Sequence, residues 1–127
     1  SCQVFGFTLP NGDILIDEGL AVGSDPVATS ILVHELTHFL QLKSDAHPQP
    51  VTCRLWRERE RDAFSVQTRW LRDTSSSIQV FSAAMTRLNL GAVHTMCVDH
   101  STVAPPILDQ RIRVEAAIVL ETFKSAP

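Results

Sequence analysis

The chain has 127 residues, 44% of them hydrophobic and 20% charged, which is enough for one domain with a real hydrophobic core. A net charge of −3 and a pI near 5.9 give no reason to expect nucleic acid or an acidic membrane as partner. No apolar run reaches the length needed to span a bilayer, and no signal peptide is visible.

Residues 3–8 and 13–17 read as short strands, and Pro10-Asn11-Gly12 between them reads as a turn, so a β-hairpin is expected at the start of the chain. Gly19 to Ser24 is a loop, after which Asp25 and Pro26 have the residue types of a helix N-cap and first helical position. The helix expected over 26–43 is apolar nearly all round, with Leu32, Val33, Leu36, Phe39 and Leu40 covering what Val27, Ile31, His34, His38 and Gln41 leave; such a helix belongs in a core. Pro48 and Pro50 make 44–52 a loop, and helices follow over Cys53–Asp73 and Ser77–Leu90, the second stopping at Gly91. Residues 91–106 look irregular. A last helix is expected over 107–124, with Leu108, Ile112, Ala116, Val119 and Phe123 as its buried stripe. The architecture expected is α+β: a short N-terminal hairpin packed on about four helices, forming one domain over 1–127.

The first helix carries His34-Glu35-Leu36-Thr37-His38. Residues four apart share a helix face, so both imidazoles can reach one metal ion, with Glu35 beside them to take a proton from water. This is the HExxH spacing of zinc-dependent hydrolases. Burying two histidines and a glutamate in an apolar helix is costly without partners, and a metal ion supplies one.

A catalytic zinc has three protein ligands, so one more is needed. Gln41 and Ser44 stand where a metzincin needs Gly and His, which excludes that class. A carboxylate from a later helix remains, and Glu58, Glu60 and Asp62 compete. At about 100° per residue, Glu60 lies within roughly 60° of Trp56, Ala63, Phe64, Gln67 and Leu71, on the interior stripe. Glu58 and Asp62 lie about 160° away, among the arginines. The competing reading of Glu60 is a salt bridge to a buried arginine. Six arginines between Arg54 and Arg72 alternate with acids at spacings such as Arg54/Glu58 and Arg69/Asp73, and read as a solvated, self-paired face.

His34-Glu35-Leu36-Thr37-His38-Phe39-Leu40-Gln41, followed by Glu60-Arg61-Asp62-Ala63-Phe64, resembles the gluzincin zinc metallopeptidases, in particular the small single-domain minigluzincins of bacteria. The resemblance covers mainly residues 14–72. It implies a zincin-like fold, Zn2+ as cofactor, His34, His38 and Glu60 as ligands, and Glu35 as catalytic base acting on a peptide or protein substrate. The chain departs from the Glu-x-x-x-Asp form of some relatives, because Phe64 takes the final place. It has no tyrosine, so the phenol that some gluzincins aim at the oxyanion is replaced or missing.

Other residues have two readings each. His94 and His100 fall where either can reach the site as proton donor or oxyanion partner, although a surface or structural histidine is the simpler account. His47 is expected in solvent. Gln41, one turn past His38, either orients a ligand or substrate or is a satisfied core amide. The strand around Ile14–Ile16 is either an edge for an extended peptide or a fully paired core strand. Cys2, Cys53 and Cys97 have no metal-finger spacing; a disulfide from Cys53 to Cys2 or Cys97 is one reading and buried thiols another, and the set favours an exported protein, periplasmic or secreted, over a cytoplasmic one. Three functions remain to be weighed: a zinc peptidase, a non-catalytic zinc-binding scaffold, and a metal-free helical interaction module.

Overall fold

The computed structural model describes residues 6–44 and 52–88, together with the backbone of 111–115. Strand β1 (Gly6–Thr8) and strand β2 (Asp13–Asp17) form the expected antiparallel hairpin, with Phe7 opposite Leu15. The turn is closed by Gly12 N–H donating to the Leu9 carbonyl at 2.9 Å and by Asn11 bonding Asp13. Gly12 has φ of 93°, a conformation that side chains with a Cβ disfavour. A Cβ there would also lie 3.1 Å from the Phe39 ring.

Helix α1 (Pro26–Ser44) begins where the sequence says it should. The Asp25 carboxylate accepts from Val27 N–H at 3.1 Å, satisfying one of the free amides of the first turn, and Arg87 grips the same carboxylate at 3.0 and 2.6 Å. Helix α2 (Cys53–Thr74) is capped by the Thr52 hydroxyl, which accepts from Leu55 N–H. Helix α3 (Ile78–Leu88) is capped by Ser77, whose hydroxyl accepts from Val80 N–H; the expected stop at Gly91 lies outside the described residues.

Strand β3 (Arg111–Glu115) corrects the sequence reading. A helix was expected over 107–124, but 111–115 pairs antiparallel with β2, setting Ile112 opposite Ile16 and Val114 opposite Ile14. The physical reason is that Arg-Ile-Arg-Val-Glu alternates polar and β-branched residues with period two, and that local pattern outweighs the longer 3.6-residue stripe. Three helices, not four, are therefore present among the described residues, and the sheet has the order β1-β2-β3. The architecture is α+β. Because β2 is paired on both sides, Ile14–Ile16 is a central strand and not an edge open to a peptide.

Helix α1 lies between two apolar clusters. On the sheet side Ile14, Ile16, Leu32, Leu36 and Phe39 are buried together, each such side chain stabilising the fold by about 1.5–3 kcal/mol. On the other side Val27 packs with Leu71 and Ala84, flanked by Trp70, Phe81, Met85 and Leu88. Leu40, counted on the apolar surface of α1, is half exposed. On the outer face of α2, Arg54 pairs with Glu58 at 3.4 Å as expected, whereas Arg69 and Asp73 do not pair. No helix among the described residues is long and apolar enough to cross a membrane.

Candidate metal centre

The two clusters hold α1 so that His34 and Glu35 are buried at its middle, each 6% exposed. His38, one turn on, stacks edge to face with His34 at 4.8 Å between ring centroids. Helix α2 crosses this face and delivers Glu60. Its carboxylate oxygens stand 3.1 Å from His34 Nε2 and 2.5 Å from His38 Nε2, and the two Nε2 atoms are 3.1 Å apart. Ligand atoms of His34, Glu35 and His38 lie within 4.8 Å of one another, a possible metal-binding group. Glu60 meets imidazoles and no arginine among the described residues; Glu58 is exposed and engaged by Arg54.

The opposite edge of each imidazole is also occupied. His34 Nδ1 donates to Gln67 Oε1 at 3.0 Å, and His38 Nδ1 donates to Gln41 Oε1 at 2.8 Å. The amide orientations follow from what lies behind them: Gln41 Nε2 donates to the Arg59 carbonyl, and Gln67 Nε2 to the Ser30 hydroxyl. With Nδ1 carrying the proton on each ring, the Nε2 lone pairs face the Glu60 carboxylate and each other. A proton on His38 Nε2 serves the contact to Glu60, whereas His34 Nε2 can serve the other carboxylate oxygen only by taking up a second ring proton. A single cation between the three groups satisfies all of them. The Nε2–Nε2 distance of 3.1 Å is slightly shorter than the roughly 3.3 Å expected between ligands about 2.0 Å from a tetrahedral zinc, whereas the 2.5 Å contact of His38 Nε2 with Glu60 Oε1 is that of a charged hydrogen bond, which a bound ion would open. The donor set fits a divalent cation.

Strand β1 completes the site from the sheet side. The Thr8 hydroxyl is shared between the Glu35 main-chain carbonyl at 2.8 Å and its carboxylate at 3.0 Å. Gly6 allows this approach, since a Cβ there would lie 3.0 Å from Glu35 Cγ. Phe64, four residues after Glu60, lays its ring 4.3 Å from that of His34.

Without a cation the charges are strongly coupled. Burial works against a charge on His38, but the Glu60 carboxylate bonded to it and the charges of Glu35 and Glu60 hold it up at about 9. Burial favours neutral Glu60, yet its contacts with His34 and His38 outweigh that and hold it down at about 2. Burial pushes the Glu35 carboxyl up, against the opposing pull of the two imidazoles.

The structure thus brings together His34, Glu35, His38, Glu60 and Gln41. His94, His100 and His47 lie outside the described residues. Cys53 is disulfide-bonded; whether Cys2 or Cys97 joins it lies outside the described residues too. Sequence reasoning passed over Thr8, Ser30 and Gln67. The signal for Gln67 was present, since a polar amide on the interior stripe of α2 poses the same question as Glu60. Comparison with family models, with curated proteins and with solved structures finds no match to this chain.

Proposed function

We propose that this chain is a zinc-dependent peptidase of the gluzincin type, with His34, His38 and Glu60 holding the metal and Glu35 serving as general base. The observation that carries this reading is the meeting of two imidazole Nε2 atoms and one carboxylate at separations of 2.5 to 3.1 Å, with the Glu35 carboxylate close by. A zincin-like arrangement is supported by the order of parts: a small antiparallel sheet, a helix carrying His34 and His38, then a helix carrying Glu60. Zinc in such a set supplies Lewis acidity, drawing the pKa of water toward neutrality and polarising a carbonyl.

Glu35 does the proton work. Burial raises its pKa in the metal-free protein, and a carboxylate beside the ligands is placed both to accept and to return a proton. It takes one proton as the water oxygen bonds to the peptide carbon, and passes it to the amine nitrogen as the C–N bond breaks. Thr8 keeps the carboxylate aimed by holding one oxygen and the helix carbonyl behind it. Solvent reaches the cluster beside His38 and Glu60, whose side chains are 16% and 15% exposed. The disulfide at Cys53 supports an exported location, where oxidising conditions preserve it.

A zinc-holding scaffold is the second reading, and the burial of both His34 and Glu35 is the observation that favours it. Glu35→Gln separates the two. The purified parent is expected to hold one zinc per chain and to cleave within a broad peptide library. The variant should keep its zinc and lose about 10²–10⁴-fold in rate. A parent that holds zinc and cleaves nothing establishes the scaffold.

A further inference from the structure

We propose that Gln67 and Ser30 are positioning residues that set the tautomer of His34, so that its Nε2 faces the cation site without a proton to lose. This rests on the metal-site reading above. The argument is one of hydrogen-bond direction along a buried chain. The Val27 main-chain carbonyl can only accept, and the Ser30 hydroxyl spends its single proton on it at 2.7 Å. The Ser30 oxygen is then left as an acceptor and takes a proton from Gln67 Nε2 at 3.0 Å. That orients the amide with Oε1 toward His34, 3.0 Å from Nδ1, and an oxygen there demands a proton on Nδ1.

A main-chain carbonyl in the first turn of α1 therefore dictates, through three side chains, which nitrogen of His34 is bare. Ser30 is fully buried and Gln67 is 1% exposed, so water does not supply an alternative partner that would let the amide turn over. His38 is governed in the same way, with the Arg59 carbonyl fixing Gln41 and Gln41 fixing the ring. Both imidazoles are thus supported by neutral amides, in the place where a metal-bound histidine otherwise meets a carboxylate, a backbone carbonyl or water. Among the described residues no carboxylate bonds either Nδ1, and Glu35 is the acidic group placed to move a proton.

The test uses the metal-free full chain and zinc titration in competition with a chromophoric chelator. In the parent, the ring nitrogen resonances of His34 should report a proton on Nδ1. In Ser30→Ala the amide of Gln67 loses its anchor, and the His34 signal should move toward the Nε2-protonated form, with weaker zinc binding. Gln67→Met removes the acceptor altogether and should weaken zinc by about 10–100-fold. Gln67→Glu keeps an oxygen toward Nδ1, so it should restore both the tautomer and zinc binding close to the parent. The inference is overturned if Ser30→Ala and Gln67→Met leave the tautomer and the zinc affinity unchanged. It is equally overturned if Gln67→Glu binds zinc no better than Gln67→Met. A parent that binds no zinc removes the metal reading, while the tautomer shift between parent and Ser30→Ala still decides the relay.

Discussion

Glu58 and Glu60 stand two residues apart on α2, yet the side chain of Glu58 is 49% exposed and bonded to Arg54, whereas that of Glu60 is 15% exposed and faces two imidazoles. A buried carboxylate that loses its partners carries a heavy penalty, and one that loses a metal carries the largest. Glu60→Ala is therefore expected to weaken zinc by more than about 100-fold, beyond the loss typical of an outer partner. Glu58→Ala should leave the same titration curve unmoved; equal losses in both would mean that the helix presents a different face in solution. Thr8 gives a second prediction at this scale. Its hydroxyl stabilises ionised Glu35, so Thr8→Val should drive that carboxyl further up. The acid limb of the pH–rate profile should then move to higher pH while zinc content stays constant.

At the scale of elements, the site depends on how closely the hairpin and α2 press on α1. The hairpin turn is the most exacting local conformation among the described residues, because Gly12 combines φ of 93° with a close approach to Phe39. Gly12→Ala should destabilise the domain by more than about 1 kcal/mol, seen as a lower denaturant midpoint. The start of α1 was legible because Asp25-Pro26 presents the side-chain oxygen and fixed φ that a first turn requires, while the Thr52 cap of α2 emerged only in the structure. The turn was legible from Asn11-Gly12 for the same kind of reason. The strand at 111–115 was not, since Ile112 belongs both to a period-two and to a 3.6-residue pattern, and only pairing with β2 selects between them.

For the whole molecule, the coupled charges predict a pH window for the metal-free protein. His38 is raised from 6.5 to about 9, so its contribution is complete below pH 6.5 and is lost as pH rises through about 9. Glu60 is lowered from 4.5 to about 2, so its contribution is complete above pH 4.5 and is lost as pH falls toward 2. With a chelator present, urea midpoints should be highest near pH 4.5 and fall on the alkaline side, because the raised Glu35 carboxyl begins to lose its contribution above 4.5 and His38 follows above 6.5. At the proposed metal site zinc would displace the His38 proton, so the added stability from a fixed zinc concentration should grow from pH 6 to 9. A midpoint that is flat across this range with chelator would disprove the coupling.

What the chain decided by itself is local. The spacing of His34 and His38 and the inward phase of Glu60 follow from helix periodicity, and the cap of α1 follows from the side-chain chemistry of Asp25-Pro26. What only the tertiary structure decided is which distant groups meet. Thr8 is 27 residues from Glu35, Gln67 is 33 from His34 and 37 from Ser30, and no periodic pattern relates them. Hydrogen-bond partners across such separations are chosen by the packing of β1 and α2 against one helix. The direction of each bond is fixed only when every buried donor and acceptor along the line has found its mate.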